Sequence, residues 1–178
     1  MITRPELPPK EGYVEVEVGG ARRYRSVATG LLLEDELPPP PTEEELRAAK
    51  LQEAGAACSA AIYAGVEVGE AHYSLTEHDQ TEIMAQLTTV KEGAQAVPYH
   101  ADGELCRMYS AAEFAALAQA ATAHVFYHRT YCNHLNAWIR RAGLEELPSI
   151  SYGAELPEDL AEHMAAVLAA AGGDGDAV

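Results

Sequence analysis

Two sets of side chains have types and spacings that could do chemistry. His124, His128 and Cys132 stand four residues apart, so on a helix they share one face and offer two imidazoles and a thiolate to a zinc ion. Three ligands over two helical turns span roughly 12 Å, too far for one ion with bonds near ~2 Å. At best two of them share a metal with residues from elsewhere. Phe114, Ala118, Ala121, Val125, His128, Cys132, Leu135 and Ile139 recur at three- and four-residue steps, which makes His128 and Cys132 members of a packing stripe. The second set is Cys106 with His72, His78 and Asp79, a thiol nucleophile with a base and an orienter in principle. Cys106 falls between Leu105 and Arg107 in an expected strand, with no helix N-terminus or glycine-rich turn to lower its pKa or build an oxyanion hole. A buried structural thiol is the expectation there. No phosphate loop, dinucleotide fingerprint, nucleophile elbow or His-Glu-x-x-His motif occurs. The chain reads as non-enzymatic, with no catalytic residue, metal ligand or cofactor. A small metal- or thiol-dependent enzyme or effector using His124, His128 or Cys132 is the alternative of another class.

Tyr127, Tyr131, His134 and Trp138 form a second stripe beside the first. Tyrosine and tryptophan are enriched at protein contacts and also serve as ordinary core. Tyr127, Tyr131 and Trp138 are therefore candidates for an interface or for burial under the last helix. Helix length and two adjacent apolar stripes favour self-association through this segment, so a homo-oligomer is expected.

Those residues need elements to hold them. Ser110 with Glu113 is a capping box, and the helical pattern it opens continues without Gly or Pro to Ala142, closed by Arg140, Arg141 and Gly143. At 1.5 Å per residue the helix is on the order of 48 Å long, more than a small globule wraps. Ahead of it, Thr42 with Glu45 opens a helix over 43–63, with Leu46, Leu51, Cys58 and Ile62 among alanines and Gly65 as its stop. Residues 66–75 read as a hairpin, and Thr76 with Asp79 opens a helix to about Val90. Val97–Tyr109 reads as a hairpin turning on Asp102-Gly103, the dipeptide of a primed turn. After Leu147-Pro148 an extended piece leads to Pro157, which starts a final helix to about Ala171.

The front of the chain is different. Tyr13–Val18 alternates apolar and acidic residues, Gly19-Gly20 supplies a tight turn, and Arg22–Val27 runs back, with Leu31–Leu33 as a short third strand. Two or three strands without a covering helix bury too little to stand alone, so an open strand edge there is a template for pairing with a neighbour. Tyr13, Val16 and Tyr24 are the candidate contact residues of this arm. The expected organisation is a hairpin attachment arm over 1–37, a polyproline spacer over 38–41, an α+β domain over 42–171 and a flexible tail over 172–178. The fold class is α+β, helix-dominated with antiparallel β-hairpins and one long helix.

Composition limits the partners. The 178 residues hold 28 Asp and Glu against 12 Lys and Arg, a net charge of -16. That field repels phosphate backbones and anionic lipid, so neither nucleic acid nor membrane is an expected partner. No run approaches the roughly 18 apolar residues of a membrane span, and the first residues lack the basic-then-apolar order of a signal peptide, which points to synthesis in a cytosol. Three cysteines without a CxxC pair are read as reduced.

The stretch Pro38–Glu45 leading into a helix that ends Ala57-Cys58-Ser59-Ala60-Ala61-Ile62-Tyr63-Ala64-Gly65 resembles the short tail-region proteins of tailed bacteriophages and prophages. His72–Gln80, Val97–Glu104 and Met108-Tyr109-Ser110 with Phe114 resemble a phage family of unknown function encoded near tail fibre and baseplate genes. The likeness covers roughly residues 42 to 142. It implies a non-catalytic structural component of a tail tip or baseplate, located in the virion tail after synthesis in the host bacterial cytoplasm, whose partners are other tail or baseplate proteins. A tail-fibre assembly chaperone is the runner-up within the same resemblance.

Overall fold

The computed structural model describes residues 8–36 and 40–172. Half of the proline spacer (Pro38, Pro39) and the tail from Gly173 lie outside the described residues. The chain divides into two compact units, Met1–Thr42 and Glu43–Val178.

In the first unit β1 (Tyr13–Val18) pairs antiparallel with β2 (Ala21–Ser26), Tyr13 opposite Ser26 and Val18 opposite Ala21. This register leaves a two-residue turn, and Gly19 and Gly20 take it at φ +58° and +77°, the left-handed values that a primed turn requires. The expected third strand is reduced to one bridge between Leu32 and Arg25, and the chain coils into a four-residue helix, α1 (Leu33–Glu36). Side-chain bonding explains the departure: Glu34 pairs with Arg23 and Glu36 accepts from the Tyr13 hydroxyl at 2.8 Å.

The second unit is helix-dominated α+β. Its elements are α2 (Glu43–Tyr63), β3 (Val66–Val68), β4 (Ala71–Tyr73), α3 (Glu77–Lys91), β5 (Ala96–Tyr99), β6 (Arg107–Ser110), α4 (Ala111–Arg141), a 3-10 turn at Leu147–Ser149 and α5 (Glu158–Gly172). Each strand pair is an isolated antiparallel hairpin. Local chemistry fixes the helix starts. Thr76 and Asp79 form a reciprocal capping box at α3, as Ser110 and Glu113 do at α4, satisfying backbone donors that a helix leaves open. At its other end α4 stops at Ala142, whose backbone is extended, and Gly143 does not adopt the left-handed conformation expected of it. The open carbonyls are met by Arg47 of α2, which donates to those of Ile139 at 2.6 Å, Arg140 at 3.1 Å and Ala142 at 3.0 Å.

The hairpin of β5 and β6 is present, but not with a two-residue Asp102-Gly103 turn. Ala96 pairs with Ser110 and Tyr99 with Arg107, leaving a loop over 100–106. A turn on Asp102-Gly103 would shift the register by one residue and send each side chain of β6 to the opposite face. That would bury Met108 and Cys106 and expel Tyr109. The observed register buries Tyr109 and leaves Met108 outside, the arrangement that removes the larger ring from water. Cys106 is consequently exposed, contrary to the buried thiol expected of it, because it lies in the loop rather than the strand.

Two apolar clusters make the core. One gathers Ile62, Tyr73, Leu75, Ile83, Val97, Tyr99, Tyr109, Phe114 and Leu117. The other gathers Ala54, Tyr131, Leu135, Ile139, Leu147, Ile150, Leu156 and Met164. The 31-residue α4 runs through both, packed by α2, α3, α5 and the strands β3, β5 and β6. A helix of about 46 Å is therefore packed along its length by its own chain on one side, with residues such as Tyr127 left on the surface. Leu46, expected in the α2 stripe, is exposed, and Ala54 takes the buried position instead.

Candidate functional site

The arm is the first candidate. On one face of the hairpin Tyr13 and Tyr24 meet edge to face with centroids 6.4 Å apart, and the Lys10 ammonium lies 4.9 Å and 5.9 Å from the two rings. This is a small local core with a cation over aromatic faces. Val14, Val16 and Val18 point the other way, and Val14 is 49% exposed. Arg22 pairs with Glu15 at 2.6 Å. Among the described residues no strand pairs with the outer edge of β1. Of the three expected contact residues, Val16 belongs to the valine face, while Tyr13 and Tyr24 hold the hairpin together.

On α4 the structure separates the aromatic candidates. Tyr131 is buried, donates to the Ala154 carbonyl at 2.6 Å and accepts from the Gly153 N–H at 3.0 Å. Trp138 is half-buried against the second cluster, its indole donating to Glu146 at 2.7 Å. Both pack against the second core cluster of their own chain. Tyr127 stays on the surface, 48% exposed. The surplus apolar surface expected along α4 is thus smaller than two full stripes. It adjoins grooves between helices, where Phe126 and Met84 line a cleft of α3 and α4 with Ile83, Val125 and Arg129.

His124, His128 and Cys132 do not converge on an ion. His124 reaches the Ala61 carbonyl at 3.0 Å through Nε2, and His128 Nδ1 lies 2.7 Å from the Tyr152 hydroxyl. Burial holds the His128 imidazole below its ordinary pKa, with His124 alongside adding to the effect. A neutral His128 Nδ1 therefore accepts a hydrogen bond from the Tyr152 hydroxyl. Among the described residues no three His, Cys, Asp or Glu side chains come together as a metal would require.

His72, His78, Asp79 and Cys106 are dispersed into other duties. Asp79 caps α3, accepting from the Thr76 N–H at 2.9 Å. His78 is exposed. His72 Nδ1 lies 2.9 Å from Asp102, and Nε2 lies 2.7 Å from the Ala64 carbonyl. Both partners are acceptors, so both ring nitrogens donate and the ring is best held as imidazolium. Its pKa is raised first by the Asp102 hydrogen bond and then by the Ala64 carbonyl. Asp102 also accepts from the Ser74 hydroxyl and from the Ser74 N–H at 3.1 Å, which holds its carboxyl below the usual range. With no ring nitrogen left to take a proton, His72 is a staple joining the end of α2, β4 and the 100–106 loop, not a base for Cys106.

A pair that the spacing does not announce is His134 with His163. His134 is buried, its Nδ1 2.7 Å from the Thr130 carbonyl and its Nε2 2.8 Å from His163 Nδ1. It ties α4 to α5, and no local motif in either helix pairs the two rings.

The family model for the domain of unknown function DUF4376 matches residues 45–161, from the first turn of α2 into α5. The arm precedes the matched segment. No curated protein and no solved structure matches the chain. No helix among the described residues is long and apolar enough to cross a membrane.

Proposed function

The chain belongs to the DUF4376 family, and from its two-unit architecture we propose that it is a non-catalytic structural component of a bacteriophage tail tip or baseplate, acting through protein–protein attachment. The observation that carries this reading is the arm. It is a two-stranded sheet with a half-exposed valine face and, among the described residues, no third strand, too small to be stable alone in water and suited to docking on a neighbour's sheet. Charge supports the same assignment. Residues 1–41 hold five basic and seven acidic residues, net -2, whereas 42–178 hold seven and twenty-one, net -14. The arm approaches an acidic neighbour that the remainder repels. The stretches that resemble phage tail-region proteins, roughly residues 42 to 142, build the framework of the second unit, and among their polar side chains Asp79 caps a helix while His72 and Asp102 form a staple. The partners are other tail or baseplate proteins and copies of the chain itself, and the location is the virion tail. Mass spectrometry of purified particles tests the proposal. The chain is expected in them at a fixed ratio to known tail proteins. Its presence in the lysate and absence from particles would overturn the structural role and indicate an assembly chaperone.

A further inference from the structure

We propose that Cys58 and Cys132 form an intramolecular disulfide that staples α2 to α4 when the protein meets an oxidising thiol–disulfide environment. The two helices run antiparallel, as three levels of contact establish. Arg47 reaches the carbonyls of 139–142, the two cysteines meet near the middle, and His124 reaches Ala61. At the middle level the bonding is reciprocal. Cys58 Sγ lies 3.5 Å from the carbonyl of His128, one turn before Cys132, and Cys132 Sγ lies 4.0 Å from the carbonyl of Ala54, one turn before Cys58. A cysteine sulfur is two bonds from its Cα, so each can touch the opposite backbone only where the helices approach closely. Ala54 in the seam permits that approach. Burial, followed by the neighbouring Cys58, pushes the Cys132 thiol up to about 11. Cys132 is therefore held protonated at neutral pH, and both thiols are buried, which makes exchange slow and the reduced pair persistent until an oxidant is supplied.

With oxidised glutathione the step balances. One cysteine thiolate attacks the glutathione disulfide, forming a mixed disulfide and releasing one glutathione thiol. The second cysteine displaces the other glutathione. The two protein thiols lose two protons and two electrons, and the glutathione disulfide is reduced to two thiols. Cys106, exposed on its loop, is the site of mixed disulfides or chain-to-chain cross-links and must be removed to read the buried pair.

The full-length Cys106→Ser chain is refolded from denaturant in a glutathione redox buffer, so that burial does not block exchange during closure. The expected product is about 2 Da lighter than the reduced chain, with a non-reducing peptide map linking the Cys58 and Cys132 peptides. Its Tm should be higher by on the order of 10 °C, and dithiothreitol should reverse the shift. Cys132→Ser in the same background should show no shift with oxidant. A refolded chain that retains two titratable thiols, or that carries glutathione without an internal link, overturns the proposal.

Discussion

Gly65 and Gly69 both occupy the left-handed region, at φ +80° and +67°, but only Gly65 is crowded. A Cβ there would overlap the Tyr73 carbonyl and lie 2.9 Å from the Ser74 Cα, whereas nothing stands within 4 Å of one at Gly69. Gly69→Ala should cost about 1 kcal/mol, the conformational penalty alone, and Gly65→Ala at least about 3 kcal/mol, since backbone must shift as well. Urea unfolding of the two variants checks the ratio, and equal losses would count against the close approach of β4 to the end of α2. The His72 and Asp102 staple predicts a pH dependence. His72 is raised, so its contribution is complete below the ordinary histidine pKa and is lost as pH rises through the raised one. Asp102 is lowered, so its contribution is complete above the ordinary aspartate pKa and is lost on acidification. Together they stabilise most between about pH 4 and 6.5. The Tm difference between the wild type and Asp102→Asn should be largest near pH 5.5 and shrink toward pH 9. A difference that stays flat would remove the imidazolium. The staple was not legible in the sequence, because Asp102 beside Gly103 has the local appearance of a turn residue and its partners lie about 30 positions away.

At the scale of elements, the bond from Arg47 to three carbonyls at the end of α4 is the clearest single tie between helices. Arg47→Met should cost about 1.5–3 kcal/mol, the range for hydrogen bonds to a charged group, and a loss within about 0.5 kcal/mol would show that water substitutes for it. Trp138→Glu places a charge against the second cluster and should unfold the body by about 2 kcal/mol or more, whereas Tyr127→Ser should stay within about 0.5 kcal/mol. Thermal melts decide between them, and a neutral Trp138→Glu would return that residue to the surface. Helix positions were readable because their signals are local: caps at Thr76 and Ser110, a stop at Gly65, and Pro157 ahead of α5. Hairpin register was not. Asp-Gly competes with the burial of Tyr109, and a contest between a turn and a ring is settled by the whole core. The packing of α4 was equally hidden, since two stripes on one helix look the same whether α2 and α5 cover them or a second chain does.

At the scale of the molecule, each of the two units has its own internal packing, and the small one is the two-stranded arm to which the proposed attachment is assigned. Residues 42–178 alone should unfold at nearly the full-length Tm, and a truncated chain that precipitates would place the arm in the core. The most direct measurement compares the full-length protein with a variant lacking residues 1–41 in virions produced by the host, using quantitative mass spectrometry of purified particles and of the lysate. The attachment account predicts full-length protein in the particles and the shortened protein, still folded, left in the lysate. Equal incorporation of both, or the absence of both from particles, would contradict it.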